Sequence, residues 1–273
     1  MERFLGLQHV QSCTAIALKE ALGGMLSSHN LSISMLGGQG YDGTSNMRGK
    51  FNGVQKLIRD ENPYAFYVHC FAHQLQLVVV AVSNSSADIA DFFNYVPLIV
   101  NTVGASCMRK DALLAKHHDV LLEKIENGEI MTGKGFNQES SIARPGDTRW
   151  GSHLKTLLRI LVMWEAIIDV LEIVKKDSIK PTCNGGALGL IGKMKSFDFV
   201  FILHLMIELL SITDSLSRAL QRKDQDIVEA IHLIIGVKES LQDMRDNGWE
   251  PLLKKVKKIA RRMRLKCQIW IRK

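Results

Sequence analysis

The stretch LSISMLGGQGYDG, residues 31–43, carries the strongest fold signal in the chain. Its first half alternates and predicts a short strand, and its second half is a glycine-rich turn. Glycines on both sides of Asp42 let the backbone bend sharply, so the carboxylate is exposed at the carboxyl end of the strand. Two interpretations of Asp42 stay open: turn former, or one of several carboxylate ligands of a divalent cation, since one carboxylate cannot hold catalytic Mg²⁺ alone.

The sequence on either side extends this segment into the order strand, helix, strand, helix, strand. Further strands are predicted over residues 2–10 and 64–70 (YAFYVHC, expected to be buried), and helices over residues 13–28, capped by Ser12, and 46–58, stopped by Asn62-Pro63. Residues 71–82 are apolar almost all round and fit a helix or a strand.

Beyond residue 87 the periodicity becomes helical. Apolar residues recur every three or four positions over residues 154–171, 201–219 and 227–241, the last series opened by Asp224 as a cap. A polar loop is predicted over 127–149 and a second break over 181–189. The fold class expected is therefore α/β plus all-α, with a partial α/β domain over residues 1–86, a helical region over 87–250 and a basic tail over 251–273.

The positive charge is concentrated at the C-terminus. The 273 residues have a net charge of +7, but residues 251–273 contain ten Lys or Arg and no acid, so the rest of the chain carries 7 − 10 = −3. A nucleic-acid surface, a nuclear import signal and a solvated helix all fit this tail. We expect no membrane segment, because no uncharged stretch reaches the length of a span, and the five scattered cysteines indicate reduced thiols.

Gly38-x-Gly40-x-x-Gly43 matches the dinucleotide-binding pattern. Asp42 lies inside this motif, where its carboxylate would repel a pyrophosphate. We therefore expect no nucleotide cofactor.

Two further constellations carry candidate chemistry. Cys70 and His73 have the spacing of half a zinc site, whereas a packed thiol beside a hydrogen-bonded imidazole is the structural alternative. Arg149 and Trp150 end the central loop, where they could grip and stack on an unpaired base, or Trp150 could anchor the loop to the helical core.

Three blocks in this order, GQGYDGTSNMRGKF (residues 38–51), YVHCFAHQLQL (67–77) and RPGDTRWGSH (144–153), resemble one family. They are similar to the hAT-superfamily transposase-derived proteins of plants, often labelled zinc finger MYM-type-like or TTF-type. The resemblance extends to about residue 253 and includes SFDFVFILHLM (196–206) and LQRKDQDIVEAI (220–231).

The resemblance implies an RNase H-like core interrupted by a large helical insertion. It implies that Asp42 is the second of three acids that hold divalent metal, Mg²⁺ in intact relatives. Cys70 and His73 correspond to a Cys-x-x-His motif whose histidine lies close to DNA. Arg149 and Trp150 correspond to a pair that holds a flipped base, a use of an aromatic platform that is physically sound.

Residues 2–10 fit the third strand of such a core, so we expect the first two strands and both other acids to be missing. The function expected is a truncated, catalytically silent transposase relative, nuclear, with no bound cofactor and with DNA or protein as partners. The alternatives are a domesticated nuclear interaction module, or part of an active metal-dependent transposase whose missing strands another chain supplies.

Overall fold

The computed structural model describes residues 3–127, 142, 150–177, 181–222, 224 and 226–262. Within them the chain is mostly helical, with one two-stranded parallel sheet. Two compact units are present: Met1–Val78 with Ser217–Ile231, and Val79–Leu216 with His232–Lys273. The predicted domain limits at 86/87 and 250/251 stay predictions.

The first unit alternates helices and strands around a small core. Its elements in chain order are α1 (Ala15–Ser28), β1 (Gly38–Tyr41), α2 (Ser45–Arg48), α3 (Val54–Glu61), β2 (Phe66–His69) and the start of α4 (Phe71–Ser85). α1 begins after Thr14, whose hydroxyl accepts a hydrogen bond from the Ala17 amide at 3.4 Å. The core consists of Val54, Ile58 and Ala65, with partly buried side chains of α1 around them.

The strands β1 and β2 run parallel, with Gly38 opposite Phe66 and Tyr41 opposite His69. Buried Gln39 ties β1 to this unit, since its amide donates to the carbonyl of Ala65 at 2.9 Å. Side chains alternate across a strand, so Gln39 and Tyr41 share the covered face.

The second unit is built from helices alone. Its elements are the end of α4, α5 (Ala87–Val103), α6 (Cys107–Glu126), α7 (Trp150–Val162), α8 (Trp164–Asp177), α9 (Pro181–Met194), and parts of α10 (Phe197–Ala219) and α11 (Ile227–Asn247), followed by α12 (Trp249–Arg262). Its core takes buried side chains from α5 to α10 and from α12, among them Phe92, Leu157, Ile167, Leu203 and Val256.

Helix α10 is long and apolar enough to cross a membrane by length and composition alone. The core helix of a soluble protein meets the same criterion, and Phe199, Leu203 and Met206 of this helix are buried within the second unit. The absence of a membrane partner stays a prediction.

Two of the three predicted strands in the first unit are wrong. Residues 3–10 form no strand, because neither strand of the sheet pairs with them, and Phe4 and Leu7 are exposed. Residues 31–36 form a 3₁₀ turn at Ile33–Met35. The side-chain amide of Asn62 donates to the Ile33 and Leu36 carbonyls at 2.9 and 2.8 Å, which occupies groups that a strand partner would use. The strand instead forms within the glycine-rich run.

The predicted strand over 64–70 is confirmed as β2, but it is not buried: Phe66 is 61% and Val68 50% exposed. The ambiguous residues 71–82 are helical. The predicted helix over 46–58 divides into α2 and α3, and α3 ends before Asn62, as expected.

Two expectations in the helical region are also wrong. Residues 181–189 are not a break but the start of α9, since proline is well suited to the first position of a helix. The side chain that caps α11 is Asp226, which accepts from the Glu229 amide at 2.9 Å, whereas Asp224 pairs with Arg222. The helical series over 154–171 divides at Met163 into α7 and α8.

Candidate functional site

The parallel pairing of β1 and β2 brings their carboxyl ends to one edge of the sheet. Asp42 follows β1 and Cys70 follows β2, and the Cys70 amide donates to the Tyr41 carbonyl at 3.1 Å. Helix α4 begins at the next residue, so His73 lies in its first turn. Asp42, His69, Cys70 and His73 together are called the strand-end site below.

The carboxylate of Asp42 is exposed and held by its own turn. Its Oδ1 accepts hydrogen bonds from the Thr44 hydroxyl at 2.9 Å and the Thr44 amide at 3.2 Å. These two bonds are the main reason that the pKa of Asp42 is held below its usual range, and the neighbouring imidazoles of His73 and His69 lower it slightly further. The side chain is therefore ionised at neutral pH and already engaged as an acceptor.

Two imidazoles lie beside this carboxylate. The rings of His69 and His73 are 5.6 Å apart between centroids. Partial burial lowers the pKa of His69, and the nearby His73 and Arg48 lower it further, while Asp42 acts in the opposite direction. The Nε2 atom of His69 is buried and makes no hydrogen bond. His69 is thus favoured in its neutral form.

Gly43 allows the His69 ring to approach the turn. A Cβ atom at this position would lie 2.7 Å from Nε2 and 2.8 Å from Cε1 of His69. Such distances are well inside the usual contact range, so a side chain here would displace the ring. The glycine is needed for space.

Two tyrosines share the face of the sheet that carries His69. Tyr41 and Tyr67 stack with their ring centroids 6.1 Å apart, and the Tyr67 hydroxyl donates to the Asp42 carbonyl at 3.3 Å. Desolvation raises the pKa of both phenols, so both are neutral at physiological pH.

The residues around Asp42 do not fit Mg²⁺. This ion requires octahedral oxygen ligands, usually carboxylates with waters. Asp42 supplies one carboxylate whose Oδ1 already accepts two bonds, and its neighbours offer imidazole nitrogen and a thiol, which suit other metals. Across the described part of the chain, no three His, Cys, Asp or Glu side chains form a group that could hold a metal ion.

The structure brings three of the five sequence-predicted site residues together: Asp42, Cys70 and His73. Cys70 is exposed, in contrast to the packed thiol considered above. Helix α7 begins at Trp150, but Arg149 and the Trp150 side chain lie outside the described residues, so their predicted role stays a prediction.

Sequence reasoning missed His69 and Thr44, and it assigned Gly43 to the turn without its close approach to His69. His69 had a detectable signal, because it is two residues from Tyr67 on a predicted strand and therefore shares its face. Thr44 two positions after an aspartate is a common turn pattern, in which the carboxylate accepts from the backbone. The close approach at Gly43 had no sequence signal.

The second unit carries a cationic surface on α12. Its apolar face is buried, with Leu252, Val256 and Ala260 at most 2% exposed. Lys254, Lys258 and Arg261 are spaced i, i+4 and i+7, so they lie on the opposite face and are exposed. These three side chains are called the cationic face below.

Residues 1–53 match the family model described as ZMYM1/FAM200, RNase-like domain. The matched segment contains α1, β1, Asp42 and α2. The match indicates a relationship to transposase-derived proteins for this N-terminal part. No solved structure matches the chain.

Proposed function

We propose that the chain is a transposase-derived, hAT-type nuclear protein that binds DNA through α12 and does not cleave DNA on its own. The RNase-like match over residues 1–53 supports the origin. The observation that carries DNA binding is the cationic face. Because Leu252, Val256 and Ala260 are buried, the opposite side of α12, which carries the three cations, faces away from the core.

The cationic face suits a phosphate backbone. Four residues of helix rise about 6 Å, so its three cations form a row on the scale of successive phosphates. Lys255 is not part of this row, because its ammonium pairs with Glu208 at 2.9 Å. Neutralising three phosphates would release their counterions and make binding strongly salt-dependent.

The test is fluorescence anisotropy of a labelled DNA duplex over a salt series, using the full chain. The triple variant Lys254→Gln, Lys258→Gln, Arg261→Gln should reduce the magnitude of the slope of log affinity against log salt by about 3, because each phosphate contact contributes about 0.9. The matched control is Lys110→Gln, Lys176→Gln, Lys195→Gln, which removes three exposed lysines elsewhere and should leave the slope unchanged. An unchanged slope in the first triple variant would refute the assignment.

Substitution is a cleaner test than truncation at residue 254. Removing α12 from that point would delete Val256 and Ala260 from the structure, and both are fully buried. Loss of binding in such a truncation would follow from unfolding as readily as from lost charge. A second deletion, of residues 263–273 alone, measures the share of the remaining tail.

The absence of cleavage is proposed because the donor set around Asp42 does not fit Mg²⁺. Supercoiled plasmid incubated with the chain and Mg²⁺ should stay intact. Nicking that disappears in Asp42→Ala would overturn this part of the proposal and favour an active transposase fragment.

A further inference from the structure

A groove in the second unit lies where two helices begin. It has a volume of about 460 Å³ and is lined by the first turns of α5 and α10 together with Trp249 at the start of α12. Its apolar floor includes Phe199, which is buried, and the half-buried Ile202. The groove is part of neither the strand-end site nor the cationic face.

The groove is acidic in a chain that is basic overall. Asp88, Asp91 and Asp198 line it against a single cation, Lys193, which leaves a net charge of −2 where the whole chain carries +7. Asp88 and Asp198 are exposed. Each lies in the first turn of a helix, where the macrodipole stabilises a carboxylate. That effect explains each aspartate separately, but it does not explain the aromatic wall beside them.

An exposed indole forms that wall. Trp249 is 53% exposed although it is the largest apolar side chain type. It packs edge-on against Phe201 with ring centroids 5.1 Å apart, which leaves much of the indole uncovered. An aromatic face with carboxylates in the same groove is a combination that attracts cations by two mechanisms.

Lys193, which lines the groove, shows that this chain already holds an ammonium in this way. Its ammonium lies 2.8 Å from a carboxylate oxygen of Asp91 and 4.9 Å from the ring centroid of Tyr95. A carboxylate of the groove, Asp91, and a neighbouring ring outside it, Tyr95, therefore hold one ammonium together. Asp88, Asp198 and Trp249 provide the same two groups without a lysine of their own.

We propose that this groove binds a lysine-bearing segment of a partner protein. The methylene stem of the lysine packs on the apolar floor and Trp249, and the ammonium pairs with Asp88 and Asp198. The charge of the groove selects this occupant over an acidic or neutral peptide. The inference concerns protein recognition by the second unit, so it does not depend on DNA binding by α12.

The probe is a fluorescein-labelled glycine–serine peptide that carries several lysines, titrated with the full chain at low salt. Matched peptides carry norleucine or glutamate in place of lysine. The lysine peptide should bind, and both matched peptides should bind at least tenfold more weakly. Equal binding of the norleucine peptide would overturn the proposal, because charge would then play no part.

The double variant Asp88→Asn, Asp198→Asn should weaken binding of the lysine peptide about fivefold, as expected for two exposed ion pairs. Trp249→Ala should weaken it about threefold through loss of the cation–π contact. The matched control Asp111→Asn, Asp119→Asn removes two exposed carboxylates of α6 and should have no effect.

Melting curves check that each variant is folded. Equal weakening in the α6 control would reduce the interaction to general charge attraction and overturn the proposal. Self-association of the chain that the Asp88→Asn, Asp198→Asn variant abolishes would assign the groove to a second copy and overturn it as well.

Discussion

The two units differ in how completely their elements are covered. In the first unit, three buried apolar side chains, Val54, Ile58 and Ala65, form the core beside a two-stranded sheet. One face of that sheet carries the exposed Phe66 and Val68. In the second unit, helices supply a large core whose central side chains are inaccessible to solvent. Parallel strands are normally covered on both faces, so the first unit is the less complete of the two.

Because of this difference, the part of the chain that contributes most to stability is not the part that contains the strand-end site. Most of the apolar area that stabilises the fold is buried in the second unit, whereas the strand-end site lies in the weakly packed first unit. Regions with few buried contacts open locally at low free-energy cost. We therefore expect substitutions in the two units to differ in size and in what they affect.

The largest effect should come from the core of the second unit. Leu157→Ala removes a side chain that is 0% exposed, and we expect a loss of about 3 kcal/mol in the free energy of unfolding. The neighbouring Leu158 is 41% exposed, so Leu158→Ala should cost under about 1 kcal/mol. Urea denaturation of both variants measures the difference, and similar losses would show that burial in this core does not determine stability.

A smaller effect is expected in the first unit. Ile58 is as fully buried as Leu157, but its small cluster leaves fewer contacts to lose, so Ile58→Ala should cost about 2 kcal/mol. Hydrogen exchange should show faster opening of β1 amides while amides of α8 are unaffected. Equal acceleration in both units would mean that they unfold as one and would remove the basis of the comparison.

Gly43→Ala tests the strand-end site itself. The new methyl group displaces the His69 ring towards solvent, so the pKa of His69 should rise towards its ordinary value, with a stability loss of about 1 kcal/mol. Because the folded-state pKa of His69 is lowered, its neutral imidazole stabilises the fold at pH values above the unfolded pKa near 6.5. This stabilisation is lost as pH falls through the folded-state pKa, and the variant should not show this pH dependence. NMR titration of the imidazole measures it.

Gly40→Ala is the control for this change, because a Cβ atom there meets only the Val68 carbonyl at an ordinary 3.8 Å. If His69 titrates as before in Gly43→Ala, the close approach to the turn does not set its pKa.

The smallest effect concerns Asp42. Thr44→Val removes the hydroxyl that donates to Oδ1, so the pKa of Asp42 should rise towards its usual value and stability should fall by about 0.5 kcal/mol at neutral pH. Because the folded pKa is lowered, this stabilisation is present above the unfolded value near 4 and disappears as pH falls through the folded value. Carboxylate NMR titration measures the shift, with Ser45→Ala as a control that keeps both bonds to Asp42.

The sequence predicted the helical region better than the sheet, for physical reasons. Helical periodicity over 201–219 and 227–241 depends on local spacing and corresponds to α10 and α11. The position of β1 depends on long-range contacts. The Asn62 amide donates hydrogen bonds to the carbonyls of residues 33 and 36, and the Gln39 amide donates to the Ala65 carbonyl. No local pattern in residues 31–41 reveals these partners.

The candidate site was predicted in the same uneven way. Asp42 was proposed from glycine placement, and Cys70 and His73 from their spacing, each also from resemblance. The strand pairing places all three at one edge, and their functional role stays a prediction. The lowered pKa of His69 results from burial and from the nearby His73 and Arg48, which come together only in the folded chain. Asp224 and Asp226 both satisfy the sequence rule for a helix cap, so the rule alone could not show that Asp226 caps α11.

The parallel pairing of β1 and β2 also has a consequence for how the chain acquires its structure. Residues 42–65 separate the two strands, so the pair cannot close until that whole segment has folded back on itself. Local helices form within about a microsecond, whereas such non-local pairing is slow. During synthesis β1 therefore leaves the ribosome before β2 has been made. Asp42 acquires its neighbours Cys70 and His73 only after the second strand has emerged.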